Sequence, residues 1–217
     1  MHTLIISGGT IDTDFALDLL KKEKYDHIIG VDGALKFCKE QNIVPTRIVG
    51  DFDTLDPEIL TWYQTHTQIE IRQFNPVKDA TDTQIAIELA MELGSRKITL
   101  VGGTGTRLDH VLGNIQTLYL PFAKGIDCRI VDAHNRIRLV SGELHLKMTE
   151  QWGKYVSLIP FTTDVKGVDL IGFKYPLEKF NFTVLGTGSR GVSNEIAEEE
   201  AVIRIEKGIM ILVESKD

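Results

Sequence analysis

The strongest constraint on this chain is a change of rhythm near residue 135. Before it, short runs rich in Ile and Val alternate with amphipathic segments. The candidate strands are Leu4–Ser7, His27–Val31, Arg47–Gly50, Ile69–Arg72, Lys97–Val101 and Cys128–Val131. Their apolar continuity suits strands buried on both faces. Between them, Ile85, Ala86, Leu89, Ala90 and Leu93 recur at helical spacing. Leu108, Val111, Leu112, Ile115, Leu118 and Tyr119 do so again, ended by Pro121. Alternating β and α predicts an α/β unit over residues 1–134, a mostly parallel sheet with helices on both faces. Ligands of such sheets bind beyond the carboxyl ends of the strands.

Over residues 135–217 the helical stripes stop. Ile137–Val140, Leu144–Leu146, Tyr155–Pro160, Phe180–Leu185, Ala201–Ile205 and Ile209–Val213 read as strands, separated by turn formers such as Gly142, Gly167, Gly172 and Gly208. This part is expected to be an all-β sandwich or barrel. Within it, 186–195 reads as a long Gly/Ser loop.

Composition narrows the function. Lys and Arg number 24 against 31 Asp and Glu, a formal charge of −7. An acidic excess argues against nucleic acid as a partner, because that binding requires cationic surface. No apolar run reaches membrane-spanning length, so no membrane association is expected. The opening Met1–Ser7 lacks the features of a signal peptide. Cys38 and Cys128 are too few for a disulfide scaffold or a thiolate zinc site. A cytoplasmic location is the expectation.

Three clusters can carry chemistry. Gly50-Asp51-Phe52-Asp53-Thr54-Leu55-Asp56-Pro57 follows a strand. Asp56-Pro57 reads as a helix N-cap followed by proline at the first helical position. Asp51 and Asp53 repel each other unless a cation or proton intervenes, and a hydrogen-bonded turn explains them equally well. Asn75-Pro76-Val77-Lys78-Asp79-Ala80-Thr81-Asp82 precedes the helix from Asp82. Capping by Asp79 or Thr81 accounts for this cluster alone. Because both clusters end predicted strands, the four carboxylates are candidates for convergence on Mg²⁺, which takes oxygen ligands together with substrate phosphates.

The third cluster is Gly102-Gly103-Thr104-Gly105-Thr106-Arg107-Leu108-Asp109-His110. A glycine-rich turn entering a helix offers backbone N–H groups to phosphate, and Arg107 adds a bidentate donor. The spacing fits neither the P-loop nor the dinucleotide fingerprint. His110 and Asn114 lie on one helix face, away from the leucine stripe, and can line the same cleft. The other five histidines read as ordinary surface residues. Ser193 and Asn194 offer groups able to read a heterocycle edge, although a hairpin loop explains that stretch too. Trp152 and Tyr175 read as core aromatics before substrate-stacking ones.

Taken in order, Gly-Asp-Phe-Asp-Thr-Leu at 50–55, Lys-Asp-x-Thr-Asp at 78–82, Gly-Gly-x-Gly-x-Arg-x-Asp-His at 102–110 with Asn114, and Ser-Asn-Glu at 193–195 resemble the thiamine pyrophosphokinase family. Thr106 departs from it, standing where the family usually has glycine. The resemblance implies transfer of a pyrophosphoryl group from ATP to thiamine, giving thiamine diphosphate and AMP. It implies Mg²⁺ on Asp51, Asp53, Asp79 and Asp82, which also serve catalysis. It implies ATP phosphates near Gly103, Thr104, Gly105, Arg107, Asp109, His110 and Asn114, and thiamine near Ser193 and Asn194. It further implies a homodimer with a shared active site, an ATP/Mg²⁺ domain over 1–134 and a thiamine-binding domain over 135–217. Two other readings stand at this point. Asp51-Phe52-Asp53-Thr54-Leu55 also looks like the nucleophile motif of haloacid dehalogenase-type phosphatases, and a non-catalytic nucleotide sensor would use the same cleft.

Overall fold

In the computed structural model, residues 1–53, 55–74 and 80–217 are described. Thr54, Lys78 and Asp79 lie outside them. The chain forms two compact units, Met1–Ala133 and His134–Asp217.

The first unit contains β1 (His2–Ile6), α1 (Thr13–Lys22), β2 (His27–Val31), α2 (Ala34–Glu40), β3 (Arg47–Gly50) and α3 (Pro57–His66). It continues through β4 (Glu70–Gln73), α4 (Asp82–Glu92), β5 (Lys97–Val101), α5 (Leu108–Thr117), α6 (Tyr119–Phe122) and β6 (Asp127–Val131). The strand order is β4-β3-β2-β1-β5-β6, and every pairing among them is parallel. Successive crossovers step outward from β1 to β4, then return to β5 and step the other way. Right-handed crossovers therefore place α1–α3 on one face and α4–α6 on the other. Accordingly α2 packs on α3, while α4 packs on α5 and α6. The chain reverses direction between β1 and β5, which opens a crevice at their carboxyl ends.

Local signals account for the helix starts. Asp56 caps α3 by accepting from the Glu58 N–H at 2.9 Å, with Pro57 behind it. Thr81 caps α4 by accepting from Gln84 N–H at 3.2 Å. The α4 stripe is core, with Ala86, Leu89 and Ala90 buried. The α5 stripe is not. Leu108 and Leu112 are 71% and 64% exposed, whereas Asn114, on the face read as polar, is 7% exposed.

The second unit contains β7 (Asn135–Lys147), a short 3-10 turn, β8 (Tyr155–Pro160), β9 (Asp164–Ile171), β10 (Leu177–Thr183), β11 (Asn194–Glu195) and β12 (Glu200–Ser215). β12 pairs antiparallel with β7 along its length. Its other edge pairs with β9 through its first half and with β8 through its second. Val165, Val168, Phe182, Ile203, Met210 and Leu212 lie in its buried core. Glu214, 1% exposed, accepts a bidentate pair from Arg136 at 2.6 and 2.7 Å. A buried carboxylate requires such a partner.

Three glycines read as turns are bends inside strands. Gly142 (φ 68°) lies within β7, Gly167 (φ 64°) within β9 and Gly208 (φ 105°) within β12. Left-handed glycines let a strand kink while its ladder continues. The segments expected as two pairs of short strands are thus two long ones, and β9 is a further strand. His2 is also not a simple surface residue. Its Nε2 is 2.9 Å from Thr99 Oγ1, and burial lowers its pKa.

Candidate active site

The site begins where β1 and β5 end. Their loops continue the parallel pairing past the strands. Ser7 N–H donates to Val101 O at 2.8 Å, Gly9 N–H to Gly102 O at 2.9 Å, and Thr10 N–H to Thr104 O at 2.8 Å. Only glycine fits two of these positions. A Cβ on Gly9 would lie 2.3 Å from Thr104 O. Gly102 has φ 71°, and a Cβ on it would lie 2.1 Å from Ser7 O. The loops are braced from outside. Asn114 Nδ2 donates to Gly103 O at 2.8 Å, and Thr104 Oγ1 donates to Asp132 Oδ2 at 2.8 Å. Ser7 Oγ and Thr83 Oγ1 share a buried hydrogen bond of 2.7 Å, tying β1 to the first turn of α4.

Beyond the ends of β2 and β3 the chain turns sharply at Asp32 (φ 39°) and Phe52 (φ 61°). Phe52 is 8% exposed and packs with Leu35, Ile48, Leu55, Ile59 and Tyr63. Sinking this ring into the core fixes the acidic residues on either side of it. Asp51 Oδ1 accepts from Asp53 N–H at 3.2 Å. Carboxylate oxygens of Asp32, Asp51 and Asp53 lie within 4.8 Å of one another. Such positive-φ residues cost roughly 1–3 kcal/mol each and persist where packing enforces them.

These elements enclose a cleft of 660 Å³. Of the residues singled out in the sequence, Asp51, Asp53, Asp82, Gly103, Thr104, Gly105, Arg107, His110 and Asn114 line it. Asp79 falls outside the described residues. Asp109 is not on the cleft wall. It takes a bidentate contact from Arg107, with Nη2–Oδ2 at 2.6 Å, and that hydrogen bond holds its carboxyl below the usual carboxylate range. Thr106 lines the cleft without a positive φ, so its departure from glycine imposes no backbone strain.

Sequence reasoning missed Gly8, Gly9, Thr10, Asp32 and Gly33, all on the cleft wall. Each follows a strand that was correctly read. The carboxyl-end rule, applied to every strand, would have found them. In the second unit, Ser193 is exposed with φ 59° and donates its N–H to Ser157 Oγ at 3.0 Å. Asn194 is buried. Tyr175 is 59% exposed, not a core aromatic.

Two family models match the chain. One, the thiamin pyrophosphokinase catalytic domain, covers residues 16–130, and the other, the thiamin pyrophosphokinase vitamin B1 binding domain, covers 142–210. The chain belongs to the thiamin pyrophosphokinase family. Thiamine pyrophosphokinase of Bacillus subtilis (strain 168) is 34% identical over 195 residues, 87% of each chain. The crystal structure of the thiamine pyrophosphokinase from Bacillus subtilis superposes with a TM-score of 0.86 at 30% identity, covering 100% of both chains. That of the thiamin pyrophosphokinase from Geobacillus thermodenitrificans gives 0.86 at 31%, covering 100% of this chain and 98% of the other. Members of the family are enzymes, and this chain is one of them.

Chemically, the site offers phosphate what it needs. Two glycine loops, residues of the first turns of α4 and α5, and Arg107 line the cleft, the elements from which phosphate sites are built. The carboxylates of Asp32, Asp51 and Asp53 form an all-oxygen donor set. That chemistry fits Mg²⁺ rather than zinc or a soft metal. The thiols take no part, since burial pushes Cys38 up to about 12 and raises Cys128 as well.

Proposed function

We propose that this chain transfers the pyrophosphoryl group of ATP to the hydroxyl of thiamine, releasing thiamine diphosphate and AMP. The observation that carries the reading is the meeting of three carboxylates, two glycine loops and Arg107 around one cleft of 660 Å³. In the reaction the thiamine oxygen attacks the β-phosphorus, the bond between that phosphorus and the α,β-bridging oxygen breaks, and AMP leaves with that oxygen. The hydroxyl proton passes to an aspartate carboxylate. Such transfers depend on alignment and charge compensation more than on a protein nucleophile.

Arg107 and the loop N–H groups hold phosphate oxygens and orient the chain of phosphorus atoms. Asp32, Asp51 and Asp53 would hold the metal ion, with Asp82 and Asp79 as further carboxylates proposed for the acidic set. Mg²⁺ bound there would offset the charge of the carboxylates and of the triphosphate. Thr104, His110 and Asn114 shape the phosphate site, and Asp109 acts by orienting Arg107. The second unit carries the thiamine contacts, including Ser193 and Asn194. No observation favours the phosphatase reading, because Asp51-Phe52-Asp53 follows β3 rather than the first strand. The cytoplasm is the compartment we assign; both cysteines are free.

The deciding experiment is product identity. Purified protein with ATP, Mg²⁺ and thiamine is expected to release AMP and thiamine diphosphate in equal amounts, read by phosphorus NMR or chromatography. ADP or free phosphate as the product would overturn the reading.

The enzyme is further proposed to be a homodimer with a shared active site. The exposed Leu108 and Leu112 of α5, with Tyr119 beyond them 46% exposed, support a protein-covered face. Leu112→Glu is expected to convert the dimer to monomer by light scattering and to lower activity with it. A dimer of wild-type affinity in that variant would remove α5 from the interface.

A further inference from the structure

The glycine loop after β5 is held by groups that lie outside it. β5 pairs in parallel with β6, Val101 beside Val131, so Gly102 and Asp132 leave the sheet as neighbours. From that position Asp132 Oδ2 accepts the Thr104 hydroxyl proton at 2.8 Å. β1 lies on the other side of β5, and from its loop the Thr10 N–H donates to Thr104 O at 2.8 Å. Gly103 O takes a third bond, from Asn114 of α5 at 2.8 Å. Thr104 is thus tied by its carbonyl to one neighbouring strand end and by its side chain to the other.

The side-chain bond limits what Thr104 can offer a ligand. Thr104 is half-buried and lines the cleft. Asp132 is half-buried too, but among the described residues it is not on the cleft wall. A threonine hydroxyl has one proton, and here that proton goes to a carboxylate, which only accepts. None is left for a phosphate oxygen. A carboxylate behind a phosphate site also repels the anion. If direct contact or charge were its contribution, Asp132 would hinder binding. Its contribution is order. A loop already held in shape receives a ligand without the entropy loss of being ordered by it.

We infer that Asp132 is a positioning residue for the nucleotide, which through the Thr104 hydroxyl keeps the glycine loop of β5 in the conformation that receives phosphate. Thr104 then serves the site through its main chain rather than by a hydroxyl contact to the ligand. The inference rests on ATP being the ligand of this cleft, as proposed above.

Calorimetry on the full-length protein with ATP and Mg²⁺, in the absence of thiamine, reads this brace apart from the reaction. Wild-type protein that binds ATP but forms no thiamine diphosphate overturns the proposed reaction alone, and wild-type protein that binds no ATP overturns both. Asp132→Ala is expected to weaken ATP binding about tenfold, the worth of one hydrogen bond to a charged group, although a negative charge has been removed. Asp132→Asn keeps an acceptor for the Thr104 proton and restores the wild-type Kd. Thr104→Val keeps the shape without the proton and weakens ATP as much as Asp132→Ala, and the double variant is no weaker than either. In steady state the loss falls on KM for ATP while kcat and KM for thiamine stay at wild-type values, because bound ATP has already ordered the loop. Unchanged or tighter ATP binding in Asp132→Ala, which frees the Thr104 proton for phosphate, overturns the inference, as does an additive loss in the double variant. A lowered melting temperature with an unchanged Kd shows a purely structural contact and overturns it as well. Should Asp132→Ala not fold, Thr104→Val against Thr104→Ser, which keeps the proton, decides the question.

Discussion

Asp51→Asn is expected to lower kcat on the order of 10³-fold while the protein keeps its fold, because several kcal/mol of transition-state charge stabilisation depend on the metal set. The substitution conserves shape. Asparagine retains the Oδ1 that accepts from Asp53 N–H, so the turn around Phe52 survives. What it removes is one negative charge from three crowded carboxylates. Relief of their repulsion leaves thermal stability at or slightly above wild type. Asp32→Asn is expected to behave in the same way, since its carboxylate stands in the same cluster. The measurement is kcat against Mg²⁺ concentration beside a melting curve. Wild-type turnover in Asp51→Asn would remove this residue from the metal set.

Gly102→Ala is the second large effect, and it acts through the backbone. The added Cβ would lie 2.1 Å from Ser7 O, at a φ of 71° that alanine avoids. The chain must part there, breaking the pairing of Gly9 N–H with Gly102 O. A loss of roughly 3 kcal/mol is expected from strain and broken pairing, which lowers the melting temperature on the order of 10 °C. Because both displaced loops face the cleft, kcat/KM for ATP falls about a hundredfold or more, as expected for misplacement near 1 Å. Gly113→Ala is the control. Its Cβ meets nothing within 4 Å, and alanine is the better helix former. Wild-type stability in Gly102→Ala would show that the loops of β1 and β5 need not touch.

Much of the architecture was readable from pattern. The strands His27–Val31, Arg47–Gly50 and Lys97–Val101 were legible to the residue, because a strand buried on both faces is written as a continuous apolar run. The cap at Asp56 was legible, and that of α4 was narrowed to Asp79 or Thr81, because a helix N-terminus needs a side-chain acceptor; the structure has Thr81. In the β half, Gly142 and Gly208 misled. A glycine at positive φ ends one strand and bends another, and only the partner strand decides which. The α5 stripe misled for a related reason. Periodicity shows that a helix has an apolar face but not what covers it, and Leu108 and Leu112 lie outside their own unit's core.

The site divides along the same line. Motif order alone pointed to the family, and to Asp51, Asp53, Arg107 and the loop from Gly102, because their chemistry is local: adjacent charges, or glycines entering a helix. Asp32 carries no such local mark. It becomes a neighbour of Asp51 only because β2 and β3 pair in parallel and end side by side. Gly9 likewise acquires its meaning from β5, distant in sequence and adjacent in the sheet. Asn194 was legible as a polar residue in an important loop, yet only folding shows its amide bonded to Tyr175. Sequence alone determined the rhythm of elements and the chemical inventory, since both depend on near neighbours along the chain. Tertiary structure decided which of those groups share a cleft, because strand order and register bring together residues that no spacing rule connects.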